Sequence, residues 1–156
     1  MTINQHPEYT TMSAITDLDT LLASMHPVAR KELFVFCTIP GHAYGSFAAL
    51  APIASFQETE GLTLILERQA ADNAGLKYDG LFSMITLSVH SSLAAVGLTA
   101  CVATELAQSG ISANVVAAYF HDHVFVPAAR ADEALTVLGE LAQRHARQTQ
   151  QSQADR

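Results

Sequence analysis

Hydrophobic and polar residues alternate over residues 81–89, which is the pattern of a β-strand. One predicted face carries Leu81, Ile85, Leu87 and Val89, and the other carries Phe82, Met84, Thr86 and Ser88. The spacing then changes, because apolar residues recur every four positions from Leu98 to Leu106, as on the buried face of a helix. We predict a helix from about Leu93 to Ser109, with Gly110 in the left-handed position that often ends one.

A β-hairpin is predicted after this helix. Residues 113–120 are rich in strand formers, and His121-Asp122 is the predicted tight turn into a short strand over His123–Val126. The order strand, helix, hairpin is a split βαβ unit, the front half of a ferredoxin-like fold.

The first half of the chain contains similar elements. Thr16 or Asp17 is predicted to cap a short helix that ends near Met25, before Pro27. The strand over Leu33–Ile39 has apolar residues on both faces, so both faces should be covered. The remaining predicted elements are a hairpin, a short helix and a final helix, at Pro52–Glu58 with Leu62–Glu67, at Gln69–Ala74 and at Arg130–His145.

These elements divide the chain into two halves. We expect a flexible tail over residues 1–13, halves over 14–80 and 81–145, and a disordered polar tail over 146–156. The second half lacks a last strand of its own, and the first ends in a strand that leads into the second. Each half is therefore expected to complete the sheet of the other.

The chain also resembles a known family. Its run LAAVGLTACVATELAQSGISANVVAAYFHDHVFVP is similar to the ACT-domain pattern of a turn, an apolar helix with an early glycine, and a strand opened by Gly-Ile. Over roughly residues 13–142 the chain resembles small bacterial proteins with tandem ACT-like domains. The matching features are ITDLDTLLASM, FVFCTIPG, EGLTLIL, GLKYDGLFSMITLSVHSSLAAVGLTA and the HDH hairpin. The resemblance implies regulatory binding of small ligands, often amino acids, in paired domains.

The predicted fold class is accordingly α+β and ferredoxin-like (ACT-like), with two interleaved βαββαβ-type halves and antiparallel sheets. A homodimer is expected, because ACT-like domains usually pair. Apolar faces such as Phe34/Phe36 and Phe82/Met84 also need covering.

The composition limits which partners the protein is expected to bind and which cellular compartment it suits. The net charge is −7, from 8 basic and 15 acidic residues without a Lys/Arg cluster, which argues against nucleic acid or a membrane as partner. No apolar run approaches the roughly 20 residues of a membrane span, and the N-terminus lacks a signal-peptide core. Cys37 and Cys101 are predicted to be buried, reduced thiols, which suits a cytoplasmic protein.

The turn before the Leu93–Ser109 helix is the candidate ligand site. A helix N-terminus presents free N–H groups that suit a carboxylate, and Gly97 leaves space beside it. From the residues alone, Gly97 fits tight helix packing equally well; the resemblance favours a ligand, although this chain lacks the common Asp-x-Pro-Gly turn. The predicted ligand-binding residues are Ser91, Ser92, Leu93, Val96, Gly97, Leu98 and Asn114.

No catalytic residue, cofactor or metal site is predicted. His121 and His123 could face one metal ion from a strand, but zinc requires three or four ligands and no other ligand pair accompanies them. Ser91 and Ser92 fit hydroxyl caps better than a nucleophile, since no G-x-S-x-G elbow is present. The leading hypothesis is a non-enzymatic sensor of a small amino-acid-like molecule. The alternatives are a structural or protein-interaction module without a ligand and a metal-binding protein.

Overall fold

In a computed structural model, which describes residues 17–89 and 95–154, four helices pack on one six-stranded antiparallel sheet. The helices are α1 (Leu18–Ser24), α2 (Arg68–Asn73), α3 (Leu98–Gln108) and α4 (Ala131–Ala154). The strands are β1 (Pro27–Ile39), β2 (Ala54–Gln57), β3 (Leu62–Glu67), β4 (Phe82–Leu87), β5 (Asn114–Ala117) and β6 (Asp122–Pro127). Two 3-10 turns precede β2 and α4, at Ala48–Leu50 and Ala128–Arg130.

The strand order shows how the two halves are joined. It is β2-β3-β1-β4-β6-β5, so β1 and β4 form the central pair and the second strand of each half lies at an edge. In each half the first strand pairs with the third, as in a split βαβ unit. Each half also receives the first strand of the other as its neighbour. The predicted ferredoxin-like α+β fold and the mutual completion of the halves are both confirmed, within a single sheet.

The helices cover one face of the sheet with two clusters of apolar side chains. Over the second half, α1, α3 and α4 enclose a core that includes Leu21, Leu22, Ile85, Leu87, Val102, Leu106, Val124 and Leu138. Over the first half, α2 packs on a smaller core formed by Val35, Cys37, Ile39, Leu62, Leu64, Leu66 and Ala71.

Aromatic rings form a third cluster on the opposite face of the sheet. Phe34 and Phe125 are fully buried, with ring centroids 6.0 Å apart and nearly perpendicular planes. Phe36 makes similar edge contacts with Phe82 at 5.1 Å and with Phe125 at 5.3 Å. The strand over Leu33–Ile39 is thus covered on both faces, as predicted, and the rings cover one another within one chain.

Two predicted helix ends are confirmed, the start of α1 and the end of α3. Asp17 is the N-cap of α1, and its carboxylate accepts a hydrogen bond of 2.9 Å from the N–H of Thr20. After α3, Gly110 adopts φ +66° and its N–H donates to Ala107 O at 2.9 Å. The N–H of Ile111 donates to Leu106 O at 2.9 Å, which completes a Schellman motif.

Three boundaries differ from those predicted. The strand predicted to begin at Leu33 begins at Pro27, because a bulge between Ala29 and Leu33 interrupts its alternation with the polar residues Arg30, Lys31 and Glu32. Helix α4 continues past His145 to Ala154, as its Ala, Arg and Gln residues favour helix. Helix α3 begins at Leu98 rather than at Leu93. Its N-cap is Gly97, whose φ of +104° lies outside the range of a right-handed helix.

The hairpin between β5 and β6 also turns at a different point. The prediction of a turn at His121-Asp122 is wrong, because Ala118 N–H donates to His121 O at 3.1 Å and Asp122 already belongs to β6. Tyr119 and Phe120 therefore occupy the turn. The register follows from burial of Val124 and Val126, since a shift by one residue would expose both.

Candidate ligand-binding site

The structure describes both ends of the segment that connects β4 to α3. Val89 is 5% exposed at one end, and Val96 is 84% exposed at the other. The predicted site residues Ser91, Ser92 and Leu93 lie outside the described residues.

The space beside Gly97 is occupied by helix α1. A Cβ atom built on Gly97 would lie 2.9 Å from Leu18 Cδ2, closer than real side chains approach. The next residue, Leu98, is 3% exposed and belongs to the core under α3. Gly97 and Leu98 therefore seat the start of α3 against α1, and this part of the predicted site serves packing in the described structure.

The β5–β6 hairpin is attached to the same segment. His121 Nδ1 lies 3.3 Å from the carbonyl oxygen of Val89, and the Nδ1–H tautomer donates a hydrogen bond to it. At the tip of this hairpin the rings of Tyr119 and Phe120 lie edge to face, 4.8 Å apart, with 75% and 46% of each residue exposed. The sequence pattern did not indicate this exposed aromatic pair, because both residues lie in a run of strand formers and were predicted to belong to a strand.

Asn114 lies apart from the core, at the first position of β5. It is exposed and pairs in register with Phe125 of β6, while the other side of β5 is an edge of the sheet. Phe125 in turn pairs with Met84, so Asn114 lies at the other end of the strands from the β4–α3 connection, and the structure does not bring it together with the other predicted site residues.

His123 and Asp122, which are neighbours at the start of β6, have pKa values shifted in opposite directions. His123 Nδ1 lies 3.0 Å from Thr86 Oγ1; burial, followed by the nearby His121, lowers the pKa of His123. Burial raises the pKa of Asp122, and the neighbouring imidazoles partly oppose that rise. Within residues 17–89 and 95–154, no group of three or more His, Cys, Asp or Glu residues is placed to hold a metal ion.

The two cysteines differ in accessibility. Both are free thiols, Cys37 is 2% exposed in β1, and burial raises its pKa. Cys101 is only partly buried on α3, so the prediction of full burial is correct for Cys37 alone.

The sequence matches the ACT domain twice, over residues 13–83 and over residues 82–140. A Vibrio cholerae protein of unknown function, whose crystal structure is described as that of a possible transport protein, is 54% identical. The match covers 80% of this chain and 95% of that one, with a TM-score of 0.73. No curated protein matches the sequence.

Two more distant structures share the fold. A protein from Agrobacterium tumefaciens is 14% identical with a TM-score of 0.64, over 76% of this chain and 89% of that one. The regulatory subunit of aspartate kinase from Thermus thermophilus is 13% identical with a TM-score of 0.55, over 74% of this chain and 95% of that one. In the described part of the chain, no helix is long and apolar enough to cross a membrane.

Proposed function

Because the chain belongs to the ACT-domain family, we propose that it is a regulatory or sensor module that binds a small amino-acid-like molecule and catalyses no reaction. ACT domains are typically regulatory units that bind small molecules such as amino acids. The observation that carries the proposal is the tandem match over residues 13–140, which coincides with two halves of matching topology in one sheet.

The ligand is proposed to bind at the turn between β4 and α3. Main-chain N–H groups around Ser92 to Val96, together with the hydroxyls of Ser91 and Ser92, would hold its carboxylate. Asn114, the predicted partner of its amino group, is level with Met84 through Phe125 and lies at the other end of the strands from this turn, so it is left out of the proposed contacts. Because Leu18 fills the space beside Gly97, the ligand approaches from the exposed side of Val96.

The expected affinity is modest. Hydrogen bonds to a charged carboxylate contribute roughly 1.5–3 kcal/mol each, and a neutral one contributes about 0.5–1.5 kcal/mol. After the cost of association is subtracted, three or four such bonds give at best micromolar binding, which suits a metabolite sensor.

A calorimetric titration of the full chain with the twenty amino acids tests the proposal. Replacing Ser91 and Ser92 together by Ala should weaken binding of the responding amino acid by about tenfold or more, through loss of hydrogen bonds to its charged carboxylate. Asn114→Leu is the control, because Asn114 is exposed at the other end of the strands from the turn, and it should leave binding unchanged.

Two outcomes would count against this assignment. If the double alanine variant binds as tightly as the wild type, the ligand lies elsewhere. If no amino acid binds the wild type at millimolar concentration, a structural or protein-interaction module without a ligand explains the chain better. A zinc titration, repeated with a chelator as control, tests the alternative that the protein binds a metal ion through His121 and His123.

Self-association as a homodimer is part of the proposal. It is supported by two strands with an open edge, β2 and β5, and by exposed apolar side chains on or beside them, including Phe56 and Tyr119. A cytoplasmic location is also proposed, consistent with the free thiols of Cys37 and Cys101. Sedimentation equilibrium at tens of micromolar protein should give the dimer mass, and a monomer mass there would contradict the dimer.

A further inference from the structure

The two halves differ most in what covers the helix-side face of their outer strands. In the second half, α3 lies there and contributes Val102 and Leu106 to the core that includes Val124 of β6. In the first half, the chain between β1 and β2 contains a loop and one 3-10 turn, Ala48–Leu50, in place of that helix. The position that α3 occupies in the second half is therefore not filled by a helix in the first half.

That volume is a groove of about 490 Å³ at the β2 edge of the sheet. Its floor consists of Leu62 and Leu64 of β3, which are 1% and 2% exposed. Phe47 and Tyr44 line it from the loop side. Ser55, which pairs in register with Leu64, adds a hydroxyl group from β2.

The loop that borders the groove is held in place. The Gln57 side chain accepts from Tyr44 N–H at 2.9 Å and donates to His42 O at 3.3 Å. The His42 and Phe47 rings lie 5.1 Å apart. Ala51, another lining residue, adopts the left-handed conformation at φ +49°, which an alanine adopts only when its surroundings enforce it. The groove is thus preformed by fixed contacts.

We propose that this groove is a second binding site, which takes a small uncharged aromatic molecule. Its volume lies within the roughly 300–1,000 Å³ range of small-molecule sites, and its lining contains no Asp, Glu, Lys or Arg. The aromatic side chains of Tyr44 and Phe47 suit a flat ring, and the Ser55 hydroxyl orients one polar group on it. The groove lies at the β2 edge beyond the end of β1, whereas the β4–α3 turn lies beside the start of β1, where Pro27 pairs with Leu87, so it is independent of the amino-acid site proposed above.

Titration of the full chain with indole, followed by methyl and amide NMR, tests this inference. Saturable shifts are expected for Leu62, Leu64 and Ala48, and none for Asn114. Ser55→Phe places a ring in the groove and should abolish the saturable shifts. The matched control is Phe56→Ser, since Phe56 neighbours Ser55 on the same strand but faces the other side of the sheet, and it should retain them.

Three results would overturn the inference. These are non-saturable shifts in the wild type, saturable shifts that arise only outside the groove, and unchanged binding by a folded Ser55→Phe variant. Should Ser55→Phe fail to fold, the residues that shift in the wild type decide the matter alone. A failure here leaves the amino-acid titration of the β4–α3 turn unaffected, because the two experiments report on opposite ends of β1.

Discussion

Phe34 of β1 and Phe82 of β4 are direct partners across the centre of the sheet. Further along β1, Ile39 pairs with the first residue of β3, and at the same distance along β4, Leu87 pairs with the first residue of β6. Phe34 and Phe82 therefore occupy equivalent positions in their two halves. An approximate two-fold axis therefore passes between the two phenylalanines. The aromatic cluster on this face belongs to both halves at once.

Replacing Phe125 by Ala should destabilise the whole protein. The ring is 1% exposed and contacts both Phe34 and Phe36, so its removal leaves a cavity at the junction of the halves. We expect a loss of about 3–5 kcal/mol in the free energy of unfolding, measured by urea denaturation. Tyr44→Ala, at a residue that is 79% exposed, is the control and should cost under about 1 kcal/mol. Equal losses in the two variants would show that the cluster does not stabilise the fold.

Replacing either of two glycines by alanine should change the stability of the protein, in opposite directions at the two positions. Gly61 has φ +154°, and a Cβ there would lie 2.8 Å from the carbonyl oxygen of Ile39, so Gly61→Ala should cost about 1–3 kcal/mol. Gly139 lies inside α4 with no atom within 4 Å of such a Cβ, so Gly139→Ala should stabilise by about 0.5–1 kcal/mol. Thermal and urea unfolding of the pair measure both effects. Stabilisation by Gly61→Ala would refute the close approach to Ile39.

The stability of the protein should depend on pH through His123. Its pKa in the folded state lies below the unfolded value of 6.5, because burial disfavours the imidazolium. The resulting stability is fully present above pH 6.5 and is lost as the pH falls through the folded-state pKa. Asp122, whose pKa is raised, acts in the opposite direction, so the informative quantity is the difference between variant and wild type.

Replacing His123 by Gln should therefore improve stability relative to the wild type as the pH falls below 6.5. Urea midpoints measured across that range report the effect. If the difference in urea midpoint between His123→Gln and wild type is the same at all pH values, the pKa of His123 does not change on unfolding.

The two thiols should react at different rates. Burial and a raised pKa leave Cys37 with little thiolate, whereas Cys101 is partly exposed. With Ellman's reagent, we expect the native Cys37→Ser variant to label quickly and the native Cys101→Ser variant to label only after denaturation. Rapid labelling of Cys101→Ser in the native state would show that Cys37 is accessible.

Much of the fold could be predicted from alternation and from end signals. The two faces of β1 were separable because Val35 and Cys37 alternate with Phe34 and Phe36, and the structure buries the two pairs in different clusters. Gly110 and Asp17 marked the ends of helices because their conformations and side chains satisfy main-chain groups locally. These signals act between near neighbours in sequence.

Features that depend on distant contacts could not be read in this way. The place of Gly97 at the start of α3 depends on Leu18, which is remote in sequence. The β5–β6 turn was misplaced because its register depends on the burial of Val124 and Val126 under the helices. The groove beside Phe47 exists because no helix lies between β1 and β2, and the local sequence does not indicate an empty volume of this kind. The candidate ligand site was therefore less predictable than the strands around it.

The central pairing of β1 with β4 cannot form until both strands have been synthesised. Pro27 pairs with Leu87, so β1 leaves the ribosome well before the strand that covers its inner edge. Until β4 emerges, that edge presents unpaired main-chain groups and Phe34 lacks its neighbour, which is the kind of surface that recruits chaperones or other nascent chains. Such long-range pairing also slows folding. The nascent protein thus stays vulnerable to aggregation until its second half is made, and a fragment that ends before Phe82 keeps that vulnerability permanently.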